Sequence, residues 1–367
     1  MFQIQKAKET MSARERVRRT FEFEKTDRVP IGYSSNPVIS KKFMESLGFS
    51  PKDNLSFLKA LGVDCFSGNP AYKGPDIYPA IPDRVIDQTN GAVKKYIKNE
   101  FGGYYDFCDF PLKDADDEDI YAFPFSNPDD YDYETALRQI DMLLELDFCV
   151  YIGNAGCGDI MNTTGFEMSY EDALVNVYSR NEATLDLIDR RHAVQLGFLE
   201  RMLEKAADKI DFIWLGEDLG TQNTPLIDKD TYNEVLRPRH QKFIDLGKAY
   251  NKPCMIHTCG SSSWVYEDFI EMGMRGVDTL QPEAVNMSPL YLTENFGGRL
   301  NFRGCISTAG PLVTGTPEDV EKNCKETLEI MMEKKGYHFA PTHSIQDNTP
   351  VENIAAMYNA AHKYGVY

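Results

Sequence analysis

The stretch Lys252-Pro253-Cys254-Met255-Ile256-His257-Thr258-Cys259-Gly260 predicts a short buried strand that ends in polar residues. Three apolar residues in a row after a proline are typical of such a strand. Because side chains two residues apart in an extended chain point to the same face, His257 and Cys259 project together from the strand end. An imidazole and a thiol are ligands that Zn²⁺ prefers. The same pair is also typical of a buried cysteine beside a hydrogen-bonded histidine.

Strands and helices alternate along most of the chain on both sides of this stretch. Eight segments have the pattern of short strands, and most precede a segment with a helical pattern: 27–33, 63–66, 148–153, 212–216, 254–256, 277–280, 300–304 and 337–340. This alternation predicts an α/β protein with a (β/α)8 TIM barrel rather than an open sheet. We therefore expect residues 1–367 to form a single barrel domain.

The segment 70–130 departs from the alternation. Asn90-Gly91 lies between two β-prone runs, which is a strong hairpin signal. Gly102-Gly103 lies between two further runs, 95–100 and 104–107, and suggests a second hairpin. We expect 70–130 to be an antiparallel β-hairpin region inserted within the barrel domain.

The composition excludes several classes of function. A net charge of −18 over 367 residues argues against nucleic-acid binding, which needs clustered cations. No window has the apolar length of a membrane span, and the first residues lack the apolar core of a signal peptide. The eight cysteines have no disulfide-scaffold spacing, so we expect them to be reduced. These features predict a cytoplasmic protein with no nucleic-acid or membrane partner.

Polar residues recur where the predicted strands end, and catalytic groups of such barrels lie at the carboxyl ends of the strands. The residues at these ends are Asn154, Glu217, Asp218, His257, Cys259, Gln281, Glu283, Cys305 and His343. Glu217 or Asp218 equally fits a cap of the segment that follows. Cys305 also fits a packed and inert thiol. His343 follows the last predicted strand, which favours a role in a site.

Several short motifs are distributed along nearly the whole chain. They are Arg14-Glu15-Arg16-Val17, Asp27-Arg28-Val29-Pro30, Gly216-Glu217-Asp218-Leu219-Gly220-Thr221-Gln222, His257-Thr258-Cys259-Gly260, Gly315-Thr316-Pro317-Glu318-Asp319-Val320 and Pro350-Val351-Glu352-Asn353-Ile354. Together they resemble the uroporphyrinogen decarboxylase superfamily. This resemblance implies the same (β/α)8 fold.

Two branches of that superfamily differ in their functional residues. The true decarboxylases carry an early arginine-rich loop for substrate carboxylates and a catalytic aspartate after the second strand. The corresponding segments here, 31–36 and 65–69, contain neither. The chain resembles instead the zinc-dependent, corrinoid-linked methyltransferases, which share the His-x-Cys motif.

The resemblance implies a zinc site built from His257, Cys259 and a third ligand at the exit of the last strand. That branch usually has a cysteine there, whereas this chain has His343, so Cys305 remains a rival. Glu217 is the implied fourth ligand, either displaced by substrate or hydrogen-bonded to another ligand. Glu217 and His257 are the expected catalytic residues.

The implied activity is transfer of a methyl group between a small substrate, for instance an aromatic methyl ether, and a corrinoid carried by a separate protein. Zinc would act as a Lewis acid on the substrate heteroatom. The expected substrate contacts are Tyr33, Asn154, Asp218, Gln281 and Cys305. A metal-free decarboxylase or lyase, with Glu217, His257 and His343 as acid and base, is the alternative, and a binding protein of the same fold is a third. The methyl substrate, the direction of transfer and the oligomeric state stay open.

Overall fold

Parallel strands form the centre of the molecule, which a computed structural model describes over residues 3–367. The strands are β1 (Cys65–Ser67), β2 (Val85–Ile86), β3 (Val93–Lys98), β4 (Gly103–Phe107), β5 (Cys149–Gly153), β6 (Phe212–Gly216), β7 (Cys254–His257), β8 (Gly276–Leu280), β9 (Asn301–Ile306) and β10 (Tyr337–Pro341). Seven of them form one parallel sheet in the order β1-β5-β6-β7-β8-β9-β10. The space that this curled sheet encloses is called the lumen below, and the carboxyl-terminal edge of its strands is called the mouth.

Helices connect the parallel strands and cover the outside of the sheet. They are α1 (Ala13–Phe21), α2 (Pro37–Ser46), α3 (Asn54–Leu61), α4 (Asp117–Ala122), α5 (Tyr133–Glu145), α6 (Met161–Met168), α7 (Tyr170–Ser179), α8 (Glu182–Ala206), α9 (Lys229–Thr231), α10 (Arg237–Ala249), α11 (Tyr266–Met272), α12 (Pro289–Phe296), α13 (Pro311–Thr314), α14 (Pro317–Met331) and α15 (Val351–Tyr364). No helix within residues 3–367 has an apolar stretch long enough to cross a bilayer.

The prediction of a parallel α/β sheet is confirmed, whereas the eighth strand is present only as isolated bridges. Ile31 bridges Val63 on one side and Phe339 of β10 on the other. Pro30, which precedes Ile31, has no amide hydrogen and cannot donate to a sheet ladder. The single-domain interpretation of 1–367 stays a prediction.

An antiparallel sheet of three strands lies inside the segment 70–130, in the order β2-β3-β4. The second expected hairpin is present, since Lys98 pairs with Gly103 where β3 turns into β4. The first expected hairpin has a loop longer than the two residues Asn90-Gly91, because Asp87 N donates to Ala92 O across it. Gly91 has a φ of +77° in this loop, which favours glycine.

Helix α1 covers the amino-terminal edge of the sheet, opposite the mouth. The Ser12 side chain caps the helix by accepting a hydrogen bond from Glu15 N. Val17 and Phe21 are fully buried and pack in one apolar cluster with Phe212 and Met255. The lumen therefore has an apolar floor.

Arginine–carboxylate pairs hold this floor in place. Asp64, which precedes β1, accepts hydrogen bonds from the guanidinium groups of Arg16 on α1 and of Arg28. Arg16 also bonds Asp27 through Nε at 2.7 Å. Burial alone would raise the pKa of both carboxyls, but Arg28 and Arg16 hold the pKa of Asp64 below its usual range. Arg16 and the backbone amides of Thr10 and Met11 do the same for Asp27. These buried carboxylates are therefore charged in the folded protein.

Candidate metal centre

Three of the predicted ligands meet at the mouth. His257 ends β7, Cys259 follows two residues later, and His343 follows β10. One ligand atom from each of these residues lies within 4.8 Å of the other two. The imidazole rings of His257 and His343 are 5.9 Å apart between centroids. We call these three residues the ligand group.

The imidazole of His257 is oriented by two residues of β8. Its Nδ1 lies 3.2 Å from Asp278 Oδ2 and 2.5 Å from Thr279 Oγ1. Since a carboxylate only accepts hydrogen bonds, Nδ1 carries a proton, and in the neutral imidazole Nε2 then keeps its lone pair. Nε2 lies 3.5 Å from Cys259 Sγ. This is the arrangement in which a histidine binds a metal through one ring nitrogen and is held through the other.

A β-bulge places Thr279 at this position. The register between β8 and β9 shifts between Asp278 and Leu280. Thr279 has a φ of +66°, which is rare for a β-branched residue and costs backbone energy. The bulge turns the threonine hydroxyl toward His257. Asp278 and Thr279 were not predicted from the sequence, although two polar residues in a buried strand are a signal for a functional site.

Asp218 supports the other half of the ligand group. Its carboxylate accepts hydrogen bonds from Cys259 N at 2.8 Å and from Asn162 Nδ2 at 2.9 Å. Asp218 Oδ1 also lies 4.0 Å from His257 Nε2. Asp218, which the sequence predicts as a substrate contact, therefore lies beside the ligand group and fixes the backbone of Cys259.

The protonation states of the ligand group follow from this surrounding. Burial and then the negative charge of Asp218 raise the pKa of the Cys259 thiol. Burial and then His257 lower the pKa of His343, which favours the neutral imidazole that metals bind. Burial alone would lower the pKa of His257, but the hydrogen bond to Asp278 raises it overall. A thiolate at position 259 thus needs a cation beside it.

Glu217 lies outside the ligand group. Its carboxylate is fully buried and accepts hydrogen bonds from the amides of Ile160 and Met161, at the start of α6. His240 Nε2 lies 3.3 Å away. Burial, only partly offset by the two amides, raises the pKa of Glu217 to about 8. Both carboxylate oxygens of Glu217, a predicted metal ligand, thus accept hydrogen bonds from the start of α6.

The other predicted contacts are spread around the mouth and the lumen. Asn154 lines a separate cavity of about 410 Å³ between the three-stranded sheet and α8. Cys305 is buried on β9, where burial raises the pKa of its thiol, and it does not belong to the ligand group. Gln281 directly follows β8, and its carbonyl accepts from Ala284 N. Tyr33 lines the lumen.

An arginine that the sequence analysis did not identify faces the lumen. Arg303 of β9 donates through Nη1 to Asp278 Oδ1, so one carboxylate joins it to His257. Its guanidinium also lies over the ring of Trp214, 4.9 Å from the centroid. The lumen has a free volume of about 50 Å³. Its lining residues are Pro30, Ile31, Gly32, Tyr33, Cys65, Tyr151, Phe212, Trp214, Met255, Arg303 and His338.

Comparison with known families defines the class of this protein. The family model described as uroporphyrinogen decarboxylase (URO-D) matches residues 152–364, which is more than half of the chain. The chain therefore belongs to the uroporphyrinogen decarboxylase family, and the resemblance read from its motifs is confirmed.

Two particular relatives are both methyltransferases. A methylcobamide:CoM methyltransferase, MtbA of Methanosarcina acetivorans, is 23% identical over 189 residues, which are 52% of this chain and 52% of that protein. The match thus spans about half the length of the curated relative. A solved methyltransferase from Methanosarcina mazei superposes with a TM-score of 0.68 at 17% identity, over 97% of this chain and 99% of the other. This superposition shows that the two proteins share a fold.

Proposed function

We propose that the protein is a zinc-dependent methyltransferase that moves a methyl group between a small substrate and a corrinoid carried by a partner protein. The proposal places this site on a complete (β/α)8 barrel, with the segment around Ile31 as the eighth strand. The observation that carries it is the ligand group, in which His257, Cys259 and His343 converge at the mouth. The name of the M. acetivorans relative refers to a methylated cobamide, which supports a corrinoid as the methyl carrier.

The donor set fits zinc. With Zn–N near 2.1 Å and Zn–S near 2.3 Å, two ligands of a tetrahedral ion lie about 3.6 Å apart, and His257 Nε2 and Cys259 Sγ are separated by 3.5 Å. His343 supplies the third donor, and three protein ligands leave one position for substrate, as in catalytic zinc sites. When bound, zinc supplies a Lewis acid for the heteroatom that carries the methyl group.

The residues around the ligand group prepare it for this role. Asp278 accepts a hydrogen bond from Nδ1 of His257 and thereby keeps Nε2 directed at Cys259. Asp218 holds the amide of Cys259, so the thiol is fixed relative to that imidazole. We assign Glu217 to positioning, since its two oxygens hold the start of α6, and Asn162 of that helix binds Asp218.

The substrate contacts belong to the same proposal. Gln281 and Cys305 are proposed contacts around the mouth, and Tyr33 is one in the lumen. Asn154 is a proposed contact in the separate cavity that it lines. Tyr151 and Trp214 also line the lumen, and such side chains suit a small apolar part of the substrate. The partner protein would meet the substrate at the mouth, where the ligand group lies.

The experiment is to measure zinc per chain and thermal unfolding for the wild type and for Cys259→Ala, His343→Ala and Cys305→Ala. We expect about one zinc in the wild type and in Cys305→Ala, and a loss of most zinc in the other two variants, because each removes a direct ligand. The unfolding temperature should change little. Zinc retained by His343→Ala and lost by Cys305→Ala would assign the third ligand to the thiol.

The corrinoid is tested separately. Methyl transfer from methyl ethers is measured with zinc-loaded protein, with and without a reduced corrinoid protein. Transfer should require the corrinoid protein. Activity that needs neither zinc nor corrinoid would instead identify a metal-free decarboxylase or lyase of the same fold.

A further inference from the structure

We propose that Cys65 and Cys149 form a redox-active dithiol at the floor of the lumen, which a small hydroperoxide converts into a disulfide. The hydroperoxide oxidises Cys65 first, and Cys149 then closes the disulfide. This inference concerns a second reactive site of the molecule, at the opposite end of the sheet from the ligand group, and it does not depend on the methyl transfer proposed above.

The two cysteines are neighbours on adjacent strands. Each is the first residue of its strand, Cys65 of β1 and Cys149 of β5, and the two are paired in the parallel register of these strands. Neighbouring strands lie about 4.8 Å apart, and a disulfide joins Cα atoms that are about 4.4–6.8 Å apart. Because paired side chains also point to the same face of the sheet, the backbone already has the spacing and orientation that a disulfide needs.

The side chains of this pair meet at the apolar floor. Cys149 is fully buried in the cluster that also contains Val17 and Phe21, and Cys65 packs against the same cluster. Burial, and then a hydrogen bond with Cys65, raise the pKa of the Cys149 thiol. Both cysteines are free thiols in the structure. The pair is therefore a reduced dithiol whose two sulfur atoms already contact each other.

The lumen gives an oxidant access to one of the two thiols. Cys65 lines the lumen and is half-buried, whereas Cys149 has no exposed surface. A cavity needs roughly 10–15 Å³ to hold one water molecule, so the lumen, with a free volume of about 50 Å³, has room for hydrogen peroxide. A bulky hydroperoxide does not fit beside Cys65.

The charges around the pair distinguish the roles of the two thiols. Among the described lining residues of the lumen, Arg303 is the one that is charged at neutral pH, since burial lowers the pKa of His338 to about 3. Its guanidinium attracts the negative charge of the attacking Cys65 sulfur, and reactive thiols lie in such partly exposed, electropositive surroundings. After burial and Cys65, the carboxylate of Asp211 also raises the pKa of Cys149. Cys149 thus stays protonated until Cys65 is oxidised.

The chemistry has two steps, which together make water from the peroxide. In the first step, the Cys65 sulfur attacks one peroxide oxygen and the O–O bond breaks. The sulfur loses two electrons to the peroxide and becomes a sulfenic acid, and the departing hydroxide takes the thiol proton. In the second step, the Cys149 sulfur attacks the sulfenic sulfur, so that the S–S bond forms and the S–O bond breaks. This hydroxide leaves as water with the Cys149 proton.

The test treats the folded full chain with hydrogen peroxide, unfolds it, alkylates the remaining thiols and identifies every cysteine peptide by mass spectrometry. We expect a disulfide between Cys65 and Cys149 that removes two of the eight thiols and that dithiothreitol reduces again. Mapping each cysteine separately distinguishes this pair from oxidation of Cys259 at the mouth. With tert-butyl hydroperoxide, the disulfide should form more slowly by a larger factor than separates the two oxidants in their reaction with glutathione.

Three variants test the order of the steps. In Cys149→Ser, no thiol is left to close the disulfide, so the sulfenic acid of Cys65 should persist and be labelled by dimedone. In Cys65→Ser, Cys149 should stay a thiol, because it has no access to the oxidant. Cys324→Ser is the control, since Cys324 is also fully buried but lies on α14, outside the lumen, and this variant should form the disulfide as the wild type does.

Two results in the wild type would overturn the inference. One is that Cys65 and Cys149 both stay thiols while peroxide oxidises other cysteines of the chain. The other is that Cys65 proceeds to a sulfinic acid beside an unchanged Cys149, which would mean that the two sulfur atoms do not react with each other. Both results come from the chain without any substitution, so they decide the matter even if a serine variant does not fold.

Discussion

Buried carboxyl groups have lowered pKa values at one end of the sheet and raised pKa values at the other. At the floor, Asp27 and Asp64 are matched by arginines, and their pKa values lie below the usual range. At the mouth, Glu217 is held by backbone amides and a neutral histidine, and burial raises its pKa to about 8. Asp159, near Glu217, likewise has a pKa well above the usual range, chiefly because it is buried.

This difference separates stability from function. Charges that are matched within the chain fix α1 against the sheet and need nothing else. At the mouth, the raised pKa values of Glu217 and Asp159 favour neutral acids near pH 7. The carboxylate of Asp218 lies beside Cys259, and a cation there would balance the charge of a thiolate. The division agrees with the general rule for (β/α)8 proteins, whose amino-terminal face serves stability and whose carboxyl-terminal face serves catalysis.

The largest expected effect is a loss of unfolding free energy when Asp64, at the floor, is replaced in Asp64→Asn. Removal of one buried charge leaves Arg16 and Arg28 without their shared partner, which typically costs about 3–5 kcal/mol of unfolding free energy. Denaturant unfolding measures the loss. Zinc per folded chain should stay unchanged, since the ligand group lies at the other end of the sheet.

The matched control is Asp141→Asn, which removes an exposed partner of Lys209 and should change the unfolding free energy by less than about 0.5 kcal/mol. If Asp64→Asn cost no more than this control, the floor pairs would not be a stabilising element, and the contrast between the two ends would disappear.

A smaller effect is expected at the mouth, for Asp278→Asn. The amide cannot accept from His257 Nδ1 as a carboxylate does, and such outer partners of a ligand contribute about 10- to 100-fold in metal affinity. Competition with a zinc chelator measures this change. Asp268→Asn is the control, because Asp268 is also buried and paired with arginine but lies on α11, away from the ligand group. Equal zinc affinity in the two variants would show that Asp278 does not position His257.

The smallest expected effect is a pH dependence carried by Glu167. Burial, partly offset by Arg191, raises the pKa of this carboxyl to about 7, whereas in the unfolded chain it is about 4.3. The folded state therefore holds the proton to higher pH, and the stability it contributes below pH 4.3 is lost as pH rises through 7.

Between pH 6 and 8 this loss amounts to about 1.4 kcal/mol. The wild type should lose that much more unfolding free energy than Glu167→Gln when denaturant unfolding is compared at the two pH values. Glu171→Gln, an exposed carboxyl on the next helix, should behave as the wild type. Parallel pH profiles for the wild type and Glu167→Gln would mean that Glu167 is charged in the folded protein, as the floor carboxylates are.

The sequence predicts the fold well where the pattern is local. Apolar runs such as Cys254-Met255-Ile256 are themselves the strands, so seven of the eight expected parallel strands are present. The eighth is weaker because Pro30 removes an amide from the ladder, and no periodicity in the sequence measures that loss.

The candidate site is predictable only in part. His257 and Cys259 are two residues apart on one strand end, so their proximity follows from strand geometry. The approach of His343 depends on how the sheet curls and brings β10 near β7. The bulge at Thr279 and the pairing of Asp278 with Arg303 depend on register between strands, which a single sequence does not encode locally.

The apolar floor made by Val17 and Phe21 has a consequence for the order of events. A chamber closed at one end is filled and emptied through the same opening, so its contents follow a last-in, first-out rule. Under the proposed function, a small molecule seated in the lumen would have to enter before the partner protein covers the mouth, and it would leave after that partner has gone. By closing the other end of the lumen, helix α1 would thus set the order in which the small molecule and the partner protein bind and leave.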